Sequence, residues 1–303
     1  MNKVIVLGLI LFLNPIFAEI AYTQEVQKKN VVTIGRVTEK VFKQQKDTEP
    51  LIAYLASRLQ DAGIERGETV FVNNNKTMIR YLKEGKIDII LETPFSAQMY
   101  RAEANVAPIL LVWKKEAVKY NSFIFVRKDT GINRLEDLKG RIIAFEDEGS
   151  TSAYFLPKFS MEAKGLNLVH VNFPYPCIPE GKTGYVFAGS ELNISSWVFF
   201  KKAAAGALSC SDWYDQEDNP RAYRKEFKII YKTQKLPRML AMVRAGLDER
   251  FVARVKEELL NIDRGKEGKE ALKEFGIKKF VELPKGALGR IERLCGKKVR
   301  ISD

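Results

Sequence analysis

The chain is 303 residues long, 46% hydrophobic and 11% aromatic, with no low-complexity tract; this composition excludes a disordered protein and is enough to bury a sizeable core. Its formal net charge of +12 favours anionic partners through long-range attraction. The Lys and Arg are nevertheless interspersed with Asp and Glu, as in "KKEAVK" and "RVKEELL", and no basic motif interleaved with aromatics points to nucleic acid.

Residues 1–18, "MNKVIVLGLILFLNPIFA", combine Lys3, an apolar run from Val4 to Leu13, a break at Asn14 and Pro15, and the small residue Ala18, where a signal peptidase would cut. This predicts an exported, periplasmic protein cleaved near Ala18; no cysteine lies near the cut to carry a lipid anchor, and the apolar run is short for a membrane span. Roughly 280 residues remain, room for two ordinary domains or one large one. Cys177, Cys210 and Cys295 are too few and too dispersed for a zinc site or a disulfide framework. An oxidising compartment permits one bridge, with Cys177 and Cys210 as the pair to test, the alternative being buried thiols.

Along the mature chain, strand-like and helix-like segments alternate. "VVTIG" (31–35) predicts a strand, and "DTEPLIAYLASRLQDAG" a helix with Asp47 or Thr48 as cap, Pro50 in its first turn and Gly63 at its end. Strand "TVFVN", helix "KTMIRYLKEG", strand "IDIILE", a helix entered at Pro94 and strand "APILLVW" follow. "NSFIFVRKD" alternates as a strand, "INRLEDLKG" is a short helix and "RIIAFE" a buried strand. Later come helix "ELNISSWVFFKKA", strands "AAGAL", "FKIIY" and "LAMVRA", and closing helices from Asp248 onward. The pattern predicts an α/β protein with largely parallel sheets.

In open α/β sheets, ligands sit at the carboxyl ends of strands, where a turn delivers the N-terminus of the next helix. "RIIAFE-DEG-STSAYF" is such a junction. A helix N-terminus presents unpaired N–H groups and a partial positive charge. One hydroxyl suffices as a cap; Ser150, Thr151 and Ser152 supply three, which suits a tetrahedral oxyanion. A plain cap followed by two incidental small residues fits the motif alone equally well.

The stretch "YNSFIFVRKDTGINRLEDLKGRIIAFEDEGSTSAYFLP" resembles the signature of the PhnD-like substrate-binding proteins of phosphate, phosphite and phosphonate ABC transporters. Weaker matches in consistent order extend the resemblance over most of the mature chain: "TEPLIAYLASRL", "IDIILETPFSAQMY", "GYVFAGSELNISSWVF", "AAGALSCSDW" and "KLPRMLAMVRAGL". The resemblance implies a two-lobe type II periplasmic-binding-protein fold, each lobe a mixed, mainly parallel sheet flanked by helices. Lobe I would hold residues 25–122 plus 231–303 and lobe II residues 123–230, with chain crossings near 120–122 and 227–233 as the hinge. It further implies a monomer that captures a small phosphorus oxyanion without a cofactor and delivers it to an ABC transporter permease.

Within that family pattern, Ser150, Thr151 and Ser152 are donors to the oxyanion, with the Ala153 N–H beside them and Thr93 as the donor from the other lobe. Glu92 would accept a proton from a protonated ligand, the alternatives being a solvent-facing acid at the strand end or a partner of a nearby basic group. Tyr120 lines the hinge or simply packs. Glu146, Asp147 and Glu148 are expected to serve the helix dipole and face solvent. The chain departs from aminophosphonate-binding members: Glu191 replaces a histidine, Ala204 an aspartate, and Arg238 or Met239 an acidic residue, so carboxylates to greet a ligand amine are largely missing. Ala153 replaces the usual glycine.

An enzyme has little support. His170 lacks an evident nucleophile partner, "GKTG" (181–184) lacks P-loop spacing and, behind Pro176 and Pro179, reads as a loop, and neither G-x-S-x-G nor H-E-x-x-H occurs. An enzyme on the same fold acting on a phosphorylated substrate, and a ligand-sensing subunit of a membrane receptor, stand as alternatives.

Overall fold

The computed structural model describes residues 30–38, 41–114, 117–172 and 177–295. The expected signal segment and its cleavage point at Ala18 lie outside the described residues, as does the start of the expected first lobe. The elements in chain order are β1 (Val31–Val37), α1 (Val41–Arg58), β2 (Arg66–Val72), α2 (Asn75–Lys83), β3 (Ile89–Glu92), α3 (Pro94–Ala104), β4 (Ala107–Lys114), β5 (Lys119–Tyr120) and β6 (Ser122–Arg127). Next come β7 (Ile142–Phe145), α4 (Leu156–Glu162), β8 (Leu168–His170), β9 (Thr183–Phe187), α5 (Glu191–Phe199), β10 (Ala205–Ser209), α6 (Arg221–Arg224) and β11 (Phe227–Lys232). The chain closes with β12 (Leu236–Pro237), β13 (Met239–Val243), α7 (Glu249–Asn261), α8 (Lys266–Lys273), β14 (Ile277–Glu282) and α9 (Ala287–Cys295).

Two six-stranded sheets organise these elements, in the orders β14-β4-β13-β3-β1-β2 and β11-β6-β10-β7-β9-β8, and β5 and β12 pair as a short ribbon. In the first sheet β1 pairs in parallel with β2 and β3. In the second, β7 pairs in parallel with β10 and β9, and β9 with β8. The remaining pairings are antiparallel. Parallel pairing is thus less dominant than strand–helix alternation predicts, because β13 re-enters the first sheet between β3 and β4 after the excursion through the second. Each sheet is buried on both faces. One face of the first packs α1, α7 and α8 through Leu51, Leu55, Val255, Leu259 and Leu272, and the other packs α2 and α3 through Met78, Leu82 and Tyr100.

Local chemistry sets several boundaries. Asn74 caps α2 by accepting from the Thr77 N–H at 2.8 Å. Asp248 caps α7 by accepting from the Arg250 and Phe251 N–H groups, both at 3.0 Å. Asp248→Ala is expected to cost about 1 kcal/mol, read as a shift in the urea midpoint at unchanged slope. At Gly206 in β10 an added Cβ would come within 2.5 Å of Ile194 and 2.9 Å of Phe125, so α5 lies directly on the strand backbone.

Five sequence expectations are corrected. α1 begins at Val41, which places Asp47 and Thr48 inside it and Pro50 mid-helix; the hydrogen bond that proline cannot donate is outweighed by burial of Leu51, Leu55 and Leu59 on the sheet. "INRLEDLKG" makes only a 3-10 turn at Leu135–Leu138, its N–H groups taken by the Asp137 carboxylate and its end set by Gly140 at φ +75°. β9 lies in a segment whose glycines and prolines read as loop, and β14 interrupts the closing helices. Cys177 and Cys210 are both free thiols, the former exposed and the latter half-buried; the Cys295 side chain lies outside the described residues.

Candidate functional site

The Ser-Thr-Ser turn is held at the carboxyl end of β7. The Glu146 N–H donates to the Ala153 carbonyl at 3.2 Å, and the Glu146 carbonyl accepts from the Gly189 N–H at 2.9 Å. Asp147 closes the turn, its carboxylate accepting from the Gly149 N–H at 2.7 Å. Ser150 is extended (φ −72°, ψ 121°) and its Oγ caps the helix by accepting from the Ala153 N–H at 3.1 Å. The Phe155 N–H then reaches back to the Ser150 carbonyl at 2.9 Å, so Thr151–Phe155 form a π-turn before α4 begins. Such a widened first turn is a recurrent feature of functional sites. The Ala153 N–H, expected to be open for a ligand, is engaged by the cap.

A second helix start meets this one from the first sheet. β3 ends at Glu92, and Thr93 precedes Pro94 at the start of α3. Thr93 makes no side-chain cap bond, and its Oγ1 is buried without a hydrogen-bond partner. Across the interface the Phe95 N–H donates to Thr151 Oγ1 at 3.0 Å, and Ser96 Oγ to the Gly149 carbonyl at 3.4 Å. Phe95 and Phe155 stack at 4.2 Å between ring centroids. The structure therefore brings Ser150, Thr151, Ser152, Ala153 and Thr93 together. Thr151 is fully buried, Ser150 and Ser152 half-buried.

Tyr120, at the end of β5, is 3% exposed. Its hydroxyl makes no well-formed hydrogen bond. Burial pushes its pKa up, while Arg238 and the nearby Ser152 and Thr151 hydroxyls pull it back. Glu92 is half-buried, and its carboxylate accepts from the Thr93 N–H at 3.1 Å. Burial raises its pKa, and Arg36 and Lys114 act against that.

Glu146 overturns one expectation. Asp147 and Glu148 are exposed, but Glu146 is half-buried. Burial raises its pKa well above the usual carboxylate range, and Glu191, Asp147 and Asp212 push it further, opposed by a hydrogen bond from Ser150. Glu191 opens α5 after the Ser190 cap and so comes to face Glu146. Glu146, Glu191 and Asp147 thus bring acidic side chains together at this end of the cleft. Asp212, 7% exposed, was not singled out; its carboxylate accepts from Ser209 Oγ at 2.5 Å. Its place just after β10, at the carboxyl end of a strand in the parallel portion, was the available signal. His170 is exposed, with its ring 5.3 Å from those of both Tyr185 and Phe187. Among the described residues no His, Cys, Asp or Glu cluster is arranged to hold a metal, and no helix is long and apolar enough to cross a membrane.

Residues 38–285 match the family model of the ABC transporter, phosphonate, periplasmic substrate-binding protein. The chain belongs to this phosphonate-binding family. Its members are substrate-binding components of transporters and not enzymes. Among solved structures, XAC2383 from Xanthomonas citri bound to chloride is 28% identical over 88% of this chain and 96% of its own, with a TM-score of 0.84. The same protein bound to ATP matches with 29% identity, 88% and 95% coverage and a TM-score of 0.81. PhnD1 from Prochlorococcus marinus in complex with methylphosphonate shares the fold at 19% identity, 88% and 97% coverage and a TM-score of 0.67. The two sheets with their flanking helices are thus the two lobes of the phosphonate-binding family's fold.

Proposed function

We infer that this is an exported receptor that captures a small phosphorus oxyanion between its lobes and hands it to an ABC transporter permease. The observation that carries the reading is the convergence of two helix starts on one buried polar spot, with Thr93 Oγ1 and the Tyr120 hydroxyl buried there without partners. Burying a polar group unpaired costs free energy, which an oxyanion with several acceptor atoms would offset. Ser150, Thr151, Ser152, Thr93 and Tyr120 act as donors in this reading. Glu92 accepts a proton from a protonated ligand, Glu191 tunes Glu146, and residues 120–122 and 227–233 form the hinge between lobe I (25–122 and 231–303) and lobe II (123–230). The methylphosphonate of PhnD1 and the ATP of XAC2383 are both phosphorus oxyanions, which supports the ligand class.

The test is Thr93→Val. The substitution removes a hydroxyl that has no partner in the ligand-free protein, so stability should be unchanged or slightly raised. Affinity for the cognate oxyanion, by titration calorimetry, should fall about tenfold. Undiminished affinity removes Thr93 from the site.

A further inference from the structure

Beside the oxyanion spot, where β5 and β12 run together, the cleft carries a cation that the reading above does not use. Arg238 follows directly on β12 and is half-buried. Its Nη1 donates to Ser211 Oγ at 2.7 Å, and its guanidinium lies 5.1 Å from the centroid of the Tyr120 ring. Among the described residues Arg238 forms no ion pair with a carboxylate. A guanidinium has five N–H donors and keeps its charge at any ordinary pH. One held by a neutral hydroxyl and an aromatic face retains donors arranged for bidentate recognition of a carboxylate or phosphoryl group.

Two further observations aim this cation at a ligand. The Tyr120 hydroxyl is deeply buried and unpartnered close to the Ser152 and Thr151 hydroxyls, and the guanidinium lies against the ring that carries it. Ser122 Oγ, in the next strand, is also fully buried without a partner, and Ser122 pairs across the sheet with Ser209. The nearest acid of this network, Asp212, is occupied by Ser209, and its other oxygen lies 3.5 Å from Ser211 Oγ. Ser211 thus stands between the acid and Arg238.

We propose that Arg238 forms a second anion subsite, so that the ligand seated on Ser-Thr-Ser is a phosphonate bearing a further anionic group a short distance from its phosphorus. The inference rests on the oxyanion reading given above. The experiment titrates the ligand-stripped protein with methylphosphonate, phosphonoacetate and methylenediphosphonate, which share one head group and differ in carrying no second anion, a carboxylate or a phosphoryl group. One of the two doubly functional ligands should bind at least about tenfold more tightly than methylphosphonate, as expected for an added charge-assisted contact. Which one does so identifies the second group. In Arg238→Met that ratio should collapse towards one, and in Arg238→Lys it should be partly kept. Methylphosphonate binding as tightly as both other ligands overturns the subsite while leaving the oxyanion site standing, and this is read in the native protein without any variant. A ratio unchanged in Arg238→Met also overturns it. Failure of all three ligands to bind overturns the subsite, and titration with phosphite and phosphate then decides separately whether the oxyanion site stands.

Discussion

Replacing Ser150 and Thr151 together by alanine is expected to weaken binding of the cognate phosphorus oxyanion by at least about 100-fold, since each hydrogen bond to a charged group contributes roughly 1.5–3 kcal/mol. The two side chains act differently. Ser150 Oγ holds the Ala153 N–H and thereby fixes the first turn, so its loss loosens the donor array as well as removing a donor. Thr151 Oγ1 accepts from the Phe95 N–H of the other lobe, so its loss also removes a contact that favours closure. The cap contributes about 1 kcal/mol to stability, a small part of a typical folding free energy of 5–15 kcal/mol, and the double variant should fold. Calorimetric titration beside the native protein checks the result. Native-like affinity in the folded variant would reduce the triple hydroxyl run to an ordinary cap.

The second large effect concerns Glu146 and pH. Its carboxyl pKa is raised in the folded protein, chiefly by burial and then by Glu191. A raised carboxyl binds its proton more tightly in the native state than in the unfolded chain. Its stabilising contribution is therefore fully present below the unfolded value, near pH 4.3, and is lost as pH rises through the folded value. Glu146→Gln removes that loss. In the ligand-free protein it should match the native chain or fall slightly below it near pH 4, where only the hydrogen bond with Ser150 changes, and melt at higher temperature than the native chain at pH 8. Each kcal/mol regained corresponds to about 2–4 °C in a chain of this size class. An oxyanion beside Ser150 disfavours ionised Glu146, so native affinity should also fall with rising pH, and the variant should flatten that dependence. A variant that melts below the native protein across the whole range contradicts the assignment.

The part of the site that follows the chain locally was legible in the sequence. "RIIAFE" followed by "DEGSTS" reads as a buried strand, a turn and a capped helix, and the structure has Ser150 as the cap. The π-turn was not legible, because an i→i+5 bond depends on how Glu146 and Gly149 are seated against Ala153, Asn75 and Ser96. The burial of Glu146 was hidden for a similar reason: it is created by α5 and by Asp212, which are far away in sequence. β9 escaped because its sequence "TGYVF" sits behind Pro179 and Gly181 and carries a glycine, Gly184, whose position is crowded by Ile178 and Val171. β14 escaped because its two lysines break the apolar run that marks interior strands. Arg238 gave only an uncertain signal, since the gap around "LPRML" left open whether it or Met239 stands at the family's acidic position; its place beside Tyr120 follows from the pairing of β5 with β12, which are far apart in sequence.

The most direct measurement is a thermal-shift titration of the ligand-stripped mature protein with methylphosphonate, phosphite and phosphate, alongside sulfate and simple carboxylates. A ligand at 100 times its dissociation constant stabilises the native state by about 2.7 kcal/mol, a rise of about 5–10 °C for a chain of this size class. The account predicts a saturable rise of that order with at least one phosphorus oxyanion and none with sulfate or carboxylates. A melting temperature unmoved by every phosphorus oxyanion would contradict it.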